Sequence, residues 1–227
     1  MNRFLELFSS AKPVLIMSLP ANDPALCRAA FDEGADVVKV HINVEHRASG
    51  TRFGSLSEEK AALEEMLAYA KGPMGLVPGA SVEAAARDVE QAAQLGFDFF
   101  SIYAHHMPVV TVPIKQTWMI ACDGSYSPAE IAAMEPMGAG VLEASVMPGA
   151  EYGYPLTMRD LLTYRTVANS TSLPMVVPTQ RFIRPEDLPA LVQAGMRGLM
   201  IGAVVTGRQE ESIRRAVAAF RNQIDRM

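Results

Sequence analysis

One short pattern recurs along this chain and limits the folds that the chain can adopt. In each copy a helical stretch ends on a glycine, and a short apolar segment follows. Glycine just past a helix end takes the left-handed backbone conformation that other residues resist, so each copy predicts a helix followed by a strand. The four glycines are Gly34, Gly96, Gly138 and Gly195.

Four further apolar segments, each introduced by a lysine or a proline, alternate with the first four. All eight segments except the fourth are followed by a helical pattern, and strands that alternate with helices form a parallel sheet. The connection at residues 105–114 is too short and too rich in proline for a full helix. The predicted strands cover residues 14–19, 37–43, 74–78, 99–104, 116–122, 140–147, 175–179 and 198–204. The predicted helices cover residues 23–33, 57–70, 81–95, 127–134, 157–167, 185–194 and 210–226.

Eight strand–helix units in 227 residues predict one α/β domain, a compact (β/α)8 TIM barrel over residues 1–227. Its fourth helix is expected to be reduced or absent. The alternative is a doubly wound sheet, which usually has fewer strands at this length. Within residues 1–12, Phe4, Leu7 and Phe8 are expected either to cap the barrel floor or to pack as an N-terminal helical turn.

The composition argues against several classes of protein. Hydrophobic residues make up 49% of the chain and charged residues 20%, which suits a folded core rather than a disordered segment. The net charge of −5 argues against a nucleic-acid partner, because phosphate backbones bind basic surfaces. The two cysteines form no disulfide framework, there is no signal-peptide core, and no apolar run is long enough to cross a membrane. We expect a cytoplasmic homo-oligomer.

The second predicted strand carries the strongest functional signal. Its apolar residues alternate with Lys39, His41 and Asn43. The apolar set belongs under the helices, so the polar set is expected to face the barrel lumen, near the end where active sites of this fold lie. Lys39 is inside a strand, whereas the other four lysines precede strands or lie on a helix. A desolvated lysine forms Schiff bases or moves protons; the alternative is a buried ion pair.

The same alternation identifies possible partners for Lys39. On the sixth predicted strand Glu143 and Ser145 face the lumen, opposite the second strand, so Glu143 is a candidate acid or base and Ser145 a candidate substrate ligand. The alternative for Glu143 is simple neutralisation of Lys39. Tyr103 and Asp123 end the fourth and fifth strands and are further acid–base candidates. Their alternatives are core packing for Tyr103 and a turn cap for Asp123.

Loops supply candidate binding groups. The loop at residues 44–55 carries Arg47 and Arg52 among glycines, which suits an anion-binding lid or, alternatively, a solvated surface loop. The adjacent histidines His105 and His106 point in opposite directions on an extended segment, which makes a poor metal site. We predict neither a metal nor a cofactor. Cys122 has no clear base nearby in the sequence and is expected to pack in the core.

The last two strands carry candidates for a phosphate site. Thr179 ends the seventh strand, Gln180 and Arg181 follow it, and Gly202 and Ala203 lie in the eighth. Glycine lets a backbone N–H approach an anion, and the N-terminus of the next helix favours negative charge. In this fold the loops after strands seven and eight frequently bind phosphate.

Three short motifs lie in the last quarter of the chain. They are Arg-Pro-Glu-Asp at 184–187, Val-Gln-Ala-Gly at 192–195 and Ile-Gly-Ala-Val-Val at 201–205. Together they resemble the ending of phosphate-binding (β/α)8 enzymes, which include ribulose-phosphate-binding barrels, N-acetylmannosamine-6-phosphate epimerases and small class I aldolases. The resemblance implies a small phosphorylated substrate. The chain lacks the Asp-x-Lys-x-x-Asp motif of the decarboxylase branch. Glu143 occupies the strand where such aldolases carry their Schiff-base lysine, so only the anion-site positions are carried over.

Three functional hypotheses follow. The first is an aldolase-type C–C lyase acting on a small phosphorylated keto or sugar substrate, with Lys39 as the Schiff-base or carbonyl-polarising residue. The second is a sugar-phosphate isomerase or epimerase in which Lys39 and Glu143 transfer a proton. The third is a non-catalytic barrel that binds an anionic metabolite, because this fold hosts many functions.

Overall fold

The recurring strand–helix units close into a barrel. The computed structural model describes residues 2–109 and 114–227. Within these residues eight parallel strands close in the order β1-β10-β9-β8-β7-β6-β5-β2, and β3 and β4 pair as an antiparallel hairpin outside the barrel. The predicted (β/α)8 fold is therefore confirmed. The strands are β1 Val14–Ser18, β2 Val37–His41, β3 Val44–His46, β4 Thr51–Phe53, β5 Met74–Val77, β6 Phe99–Tyr103, β7 Thr117–Cys122, β8 Ala139–Ala144, β9 Met175–Pro178 and β10 Met196–Ile201.

Several helices begin and end at the predicted signals. The four glycines of the recurring pattern have φ between 97° and 103°, the left-handed conformation that ends each preceding helix. At the other end Asp23 accepts a hydrogen bond from the N–H of Ala25, and Ser127 forms a capping box with Glu130. The helices are α1 Arg3–Leu7, α2 Pro24–Asp32, α3 Leu56–Tyr69, α4 Val82–Ala93, α5 Pro128–Ala133, α6 Met158–Asn169, α7 Leu188–Gln193, α8 Ala203–Thr206 and α9 Glu210–Asp225.

The connection after β6 differs from the other strand-to-strand connections. Its described part begins with a 3-10 turn at Ala104–His106. Residues 110–113, which form part of the predicted proline-rich connection, lie outside the described residues.

Strand β2 ends at His41, two residues earlier than the sequence predicts. Asn43 has φ 55° and turns the chain into the β3–β4 hairpin. Its side-chain amide donates hydrogen bonds to Asp88 Oδ2 at 2.7 Å and to the carbonyl of Pro78 at 3.2 Å. The expectation that Asn43 faces the lumen is therefore corrected, because strand alternation stops before it.

The alternation along each strand separates two layers of apolar side chains. Val38 and Val40 pack in the large layer between the strands and the helices, whereas Val37 lies in the barrel interior. Phe4 of α1 belongs to the interior layer and stacks on Phe99, with ring centroids 3.8 Å apart and planes at 11°. The other buried members of the interior layer are Phe8, Val14, Ile16, Met119, Val141, Val176 and Met200.

One glycine makes room for this interior layer. A Cβ atom on Gly75 of β5 would lie 2.1 Å from the ring of Phe99. The aromatic stack therefore fills the lower part of the barrel. The polar residues above the stack form the floor of the cavity at the carboxyl ends of the strands.

Replacing Phe4 tests how much this filling stabilises the fold. Phe4→Ala is expected to lower the free energy of unfolding by about 3–5 kcal/mol, because a fully buried aromatic side chain is lost and a cavity remains. The control is Met137→Ala, at a side chain that is 68% exposed, with an expected change within about 0.5 kcal/mol. Urea unfolding curves measure both, and equal losses in the two variants would contradict the packing role of Phe4.

Candidate active site

The carboxyl ends of the barrel strands surround a cavity of about 890 Å³. Active sites of this fold lie at that end. The chain's four histidines all line the cavity. The polar and charged lining residues are Ser18, Lys39, His41, Glu45, His46, Arg47, Ser101, Tyr103, His105, His106, Asp123, Ser125, Glu143, Ser145, Tyr152, Thr179 and Gln180.

Lys39 and Glu143 form a buried ion pair at the base of this cavity. Lys39 Nζ lies 3.2 Å from Glu143 Oε2, and the two residues are only 4% and 6% exposed. Ser101 donates a hydrogen bond to Oε2 at 2.7 Å, and Ser145 donates one to Oε1 at 2.9 Å. Both carboxylate oxygens are thus hydrogen-bonded, which is the condition under which a charge is tolerated inside a protein.

The register of the barrel explains why these side chains meet. Lys39, Ser101 and Glu143 each lie two residues after an interior apolar residue of their own strand, so they form the next layer upward. They come from β2, β6 and β8, which are alternate strands of the barrel order. Alternate strands of a (β/α)8 barrel share side-chain layers.

The charge of Glu143 is stabilised by its neighbours. Burial alone would raise the pKa of this carboxyl, but the ammonium of Lys39 and the hydroxyls of Ser101 and Ser145 hold the pKa below its ordinary value. The pair in the resting site is therefore an ammonium and a carboxylate. An amine ready for nucleophilic attack requires that this proton first leaves Lys39.

Two histidine rings lie against each other near the ion pair, with their planes tilted by 40°. The rings of His41 and His46 lie 4.7 Å apart, and Phe53 of the hairpin lies 4.8 Å from His41. Burial lowers the pKa of His41 well below its ordinary value, and the charge of Lys39, together with that of His46 when His46 is protonated, acts in the same direction. Burial also lowers the pKa of His46 to about 4, with Lys39 contributing. Both rings are therefore neutral at physiological pH.

The hydrogen bonds of the two rings differ. His46 Nδ1 and Ser49 Oγ lie 2.8 Å apart, so His46 is held by its own hairpin. His41 is 3% exposed, and its Nδ1 finds no hydrogen-bond partner among the described residues. His41 thus lines the cavity with a buried ring nitrogen that has no hydrogen-bond partner among the described residues.

Tyr103 and Asp123 both line the cavity, as the alternation predicts. The hydroxyl of Tyr103 has a raised pKa, chiefly because it is buried, and its ring stacks on His105 at 5.1 Å. Asp123 accepts hydrogen bonds from the backbone and hydroxyl of Ser125 at 2.8 and 2.6 Å, which lower its pKa. The turn-cap interpretation of Asp123 therefore holds alongside its place in the cavity wall.

Three of the residues predicted for phosphate binding are hydrogen-bonded within the protein. The N–H of Gly202 donates to Thr179 Oγ1 at 3.0 Å. Gln180 accepts from the N–H of Met147 at 3.0 Å and donates to the hydroxyl of Tyr152 at 2.6 Å. Thr179, Gln180 and Gly202 line the cavity, whereas Ala203 opens α8 behind them.

Two of the arginines predicted to bind an anion do not line the cavity, which corrects their assignment to the site. Arg181 Nη2 contacts Glu151 Oε2 at 2.6 Å and Asp160 Oδ1 at 2.9 Å, and its side chain is outside the cavity lining. Its charge is therefore neutralised by two carboxylates. Arg52 pairs across the hairpin with Glu45 in the strand register and does not line the cavity, whereas Arg47 does.

The sequence alone did not identify Tyr152 as a lining residue. It lies between β8 and α6 beside the 3-10 turn Gly149–Glu151, where no strand alternation applies. The structure also places Cys122 in the packed layer under the helices, where burial raises the pKa of its thiol to about 12. A thiol in that state is a poor nucleophile.

The described residues contain no group of three or more histidine, cysteine, aspartate or glutamate side chains that could hold a metal ion. Within residues 2–109 and 114–227, no helix combines the length and the apolar character needed to span a bilayer.

Solved structures match the whole barrel at low sequence identity. Thiamine phosphate pyrophosphorylase from Pyrococcus furiosus matches with a TM-score of 0.64 and 15% identity over 94% of this chain and 96% of that one. A mutant tryptophan synthase alpha-subunit from Pyrococcus furiosus gives 0.72 and 15% over 93% and 98%. Tryptophan synthase from M. tuberculosis gives 0.72 and 15% over 99% of both chains.

These similarities confirm the fold that the sequence resemblance implied. No protein-family model and no curated protein matches this chain. At 15% identity the structural likeness concerns architecture alone.

The depressed pKa of His46 predicts a specific pH dependence of stability. The unfolded chain binds a proton on this ring near pH 6.5, whereas the folded chain does so near pH 4. The contribution is therefore fully present above pH 6.5 and is lost as the pH falls towards 4, because the unfolded state gains the proton first. His46→Gln is expected to recover about 1–3 kcal/mol of the unfolding free energy lost between pH 7 and pH 4.5.

Urea unfolding at several pH values measures this slope. The control is the same pair of proteins at pH 8, where the ring is neutral in both states, so that any difference there reports lost packing only. Identical slopes for the wild type and His46→Gln would show that His46 does not titrate as the structure indicates.

Proposed function

We propose that the protein is an enzyme, a lyase or isomerase, that acts on a small phosphorylated keto or sugar substrate. Lys39 polarises the substrate carbonyl and Glu143 moves the proton. The observation that carries the proposal is the buried pair of Lys39 Nζ and Glu143 Oε2, 3.2 Å apart, at the base of a large cavity.

The two groups have complementary roles at a carbonyl compound. The ammonium of Lys39 donates a hydrogen bond to the carbonyl oxygen and stabilises the negative charge that develops there. The carboxylate of Glu143 takes a proton from the adjacent carbon or from a hydroxyl. Both isomerisation and carbon–carbon cleavage pass through the carbanion that this pair stabilises, so one site serves either reaction.

Substrate binding itself would strengthen Glu143 as a base. In the resting site Lys39 and two serine hydroxyls hold the pKa of Glu143 low. When the ammonium of Lys39 turns to the substrate oxygen, Glu143 loses its main attractive charge while it stays buried. Its pKa then rises towards the range in which a carboxylate abstracts protons effectively.

The phosphate end of the substrate is proposed to lie at the start of α8. The N–H groups of Ala203 and Val204 donate no hydrogen bond within the described residues, and Val204 and Gly202 line the cavity. Free backbone N–H groups suit an anion. Two further points support a phosphorylated substrate: the resemblance of residues 184–205 to phosphate-binding barrels and a structural neighbour named for thiamine phosphate.

Covalent catalysis is the second candidate. Glu143 Oε2 contacts Lys39 Nζ directly, so it is placed to accept the ammonium proton and release a free amine. That amine would attack the carbonyl and lose water to form an iminium ion, which stabilises the carbanion of an aldol cleavage. The buried ion pair of the resting site favours the non-covalent mechanism, in which Lys39 stays protonated.

Proton exchange in heavy water tests the proposal. With a panel of phosphorylated ketoses and aldoses, the wild type is expected to exchange the hydrogen next to the carbonyl, measured by NMR. Glu143→Gln is expected to slow the exchange by about 100- to 10,000-fold, because the general base is lost. The matched control is Glu64→Gln, at an exposed carboxylate on α3.

Borohydride and a lysine variant separate the mechanisms. A reduced adduct on Lys39, detected by peptide mass spectrometry and missing from Lys39→Met, would establish the Schiff base. Exchange without an adduct would establish the non-covalent mechanism, and Lys60→Met serves as the exposed control. Ligand binding that Lys39→Met retains, with no exchange and no turnover in the wild type, would overturn the enzyme proposal and leave a metabolite-binding barrel.

A further inference from the structure

Arg47 differs from the other cation that lines the cavity. Lys39 is neutralised by Glu143, whereas Arg47 forms no ion pair and no hydrogen bond with any of the described residues. A guanidinium presents five N–H donors in a fixed planar arrangement that matches carboxylate and phosphate groups. Arg47 therefore brings an unneutralised, anion-selective group to the cavity.

Gly149 leaves room for this guanidinium at the mouth of the cavity. A Cβ atom on Gly149 would lie 1.4 Å from Arg47 Nη1, so the guanidinium occupies the space that any other side chain would fill. Arg47 follows β3 in the hairpin after β2, and Gly149 follows β8. In the closed barrel β2 and β8 lie opposite each other. The arginine thus spans the mouth from one side of the barrel to the other.

Tyr152 adds a proton donor to the same place. Gln180 is oriented by the N–H of Met147, which donates to its carbonyl oxygen, so its amide nitrogen donates to the hydroxyl of Tyr152 at 2.6 Å. The hydroxyl oxygen accepts that bond and keeps its own hydrogen to donate. Burial raises the pKa of Tyr152, and the hydrogen bond from Gln180 and the charge of Arg47 oppose that rise. Arg47 and Tyr152 both line the cavity.

We propose that Arg47 and Tyr152 bind a second anionic group, a carboxylate or a phosphate, so that the substrate carries an anion at each end. This inference rests on the proposed function for the phosphate at α8. The cavity of about 890 Å³ has room for such a molecule, because it lies near the upper end of the about 300–1,000 Å³ typical of ligand pockets.

The second anion would also connect two loops. The hairpin carries Arg47, and the connection after β8 carries Gly149 and Tyr152. A ligand that contacts both joins them across the mouth and shields the Lys39–Glu143 pair from water. Exclusion of water strengthens the electrostatic interactions inside a site.

Equilibrium binding by calorimetry tests the inference without requiring turnover. The probes are glycerol 3-phosphate, which has one anionic end, and two compounds with anions at both ends, 3-phosphoglycerate and glycerol 1,3-bisphosphate. The wild type is expected to bind at least one two-ended probe about 10- to 100-fold more tightly than glycerol 3-phosphate, as a charged hydrogen-bonded contact would give. Arg47→Met is expected to remove this preference.

Matched variants identify the group responsible. Arg52→Met, in the same hairpin and with the same change of charge, is expected to keep the preference. Tyr152→Phe is expected to reduce it severalfold, and Gly149→Ala is expected to reduce it because the new Cβ displaces the guanidinium. Equal effects of Arg47→Met and Arg52→Met would overturn the inference. So would a wild type that binds all three probes equally or binds none.

The same measurements keep the two proposals apart. A preference that depends on Arg47 in a protein that exchanges no protons would support the second anion site and overturn the proposed reaction. Proton exchange in a protein without that preference would support the proposed reaction and overturn the second anion site.

Discussion

The candidate active site depends on the buried ion pair of Lys39 and Glu143. Two charges 3.2 Å apart inside a protein are costly to bury, and here hydrogen bonds from Ser101 and Ser145 stabilise the carboxylate. Apolar side chains of similar volume would stabilise the lumen as well or better. The pair is therefore better explained by chemistry than by stability, and the aromatic layer beneath it supplies the packing that the pair does not.

Local geometry explains what the sequence could predict. The left-handed glycines and the period-two alternation are properties of a few neighbouring residues, so they identified the strand–helix repeat and the inward direction of Lys39 and Glu143. Closure of the barrel then brings the two strands face to face, because β2 and β8 lie opposite each other. Lys39 and Glu143 therefore meet because both side chains point inward and because closure with eight strands places β2 and β8 opposite each other.

Contacts between distant loops explain what the sequence could not predict. Arg181 was expected at the anion site, but Glu151 and Asp160, on a preceding loop and helix, hold its guanidinium. Asn43 was expected in the lumen, but its positive φ ends the alternation, and Asp88 on α4 binds its amide. Each outcome depends on which side chains the folded loops bring together, and hydrophobic periodicity carries no information about that.

Two opposite strands, β2 and β8, each form a unit with the loop that follows, and these two units carry both the base and the mouth of the candidate site. The β2 unit supplies Lys39 at the base and Arg47 at the mouth, and the β8 unit supplies Glu143 at the base and Tyr152 at the mouth. A molecule that bridges the mouth therefore contacts the same two units whose strands hold the ion pair. Because packed barrel strands deform little, the binding energy gained at the mouth is available to fix the position of the carbonyl relative to Lys39 and Glu143.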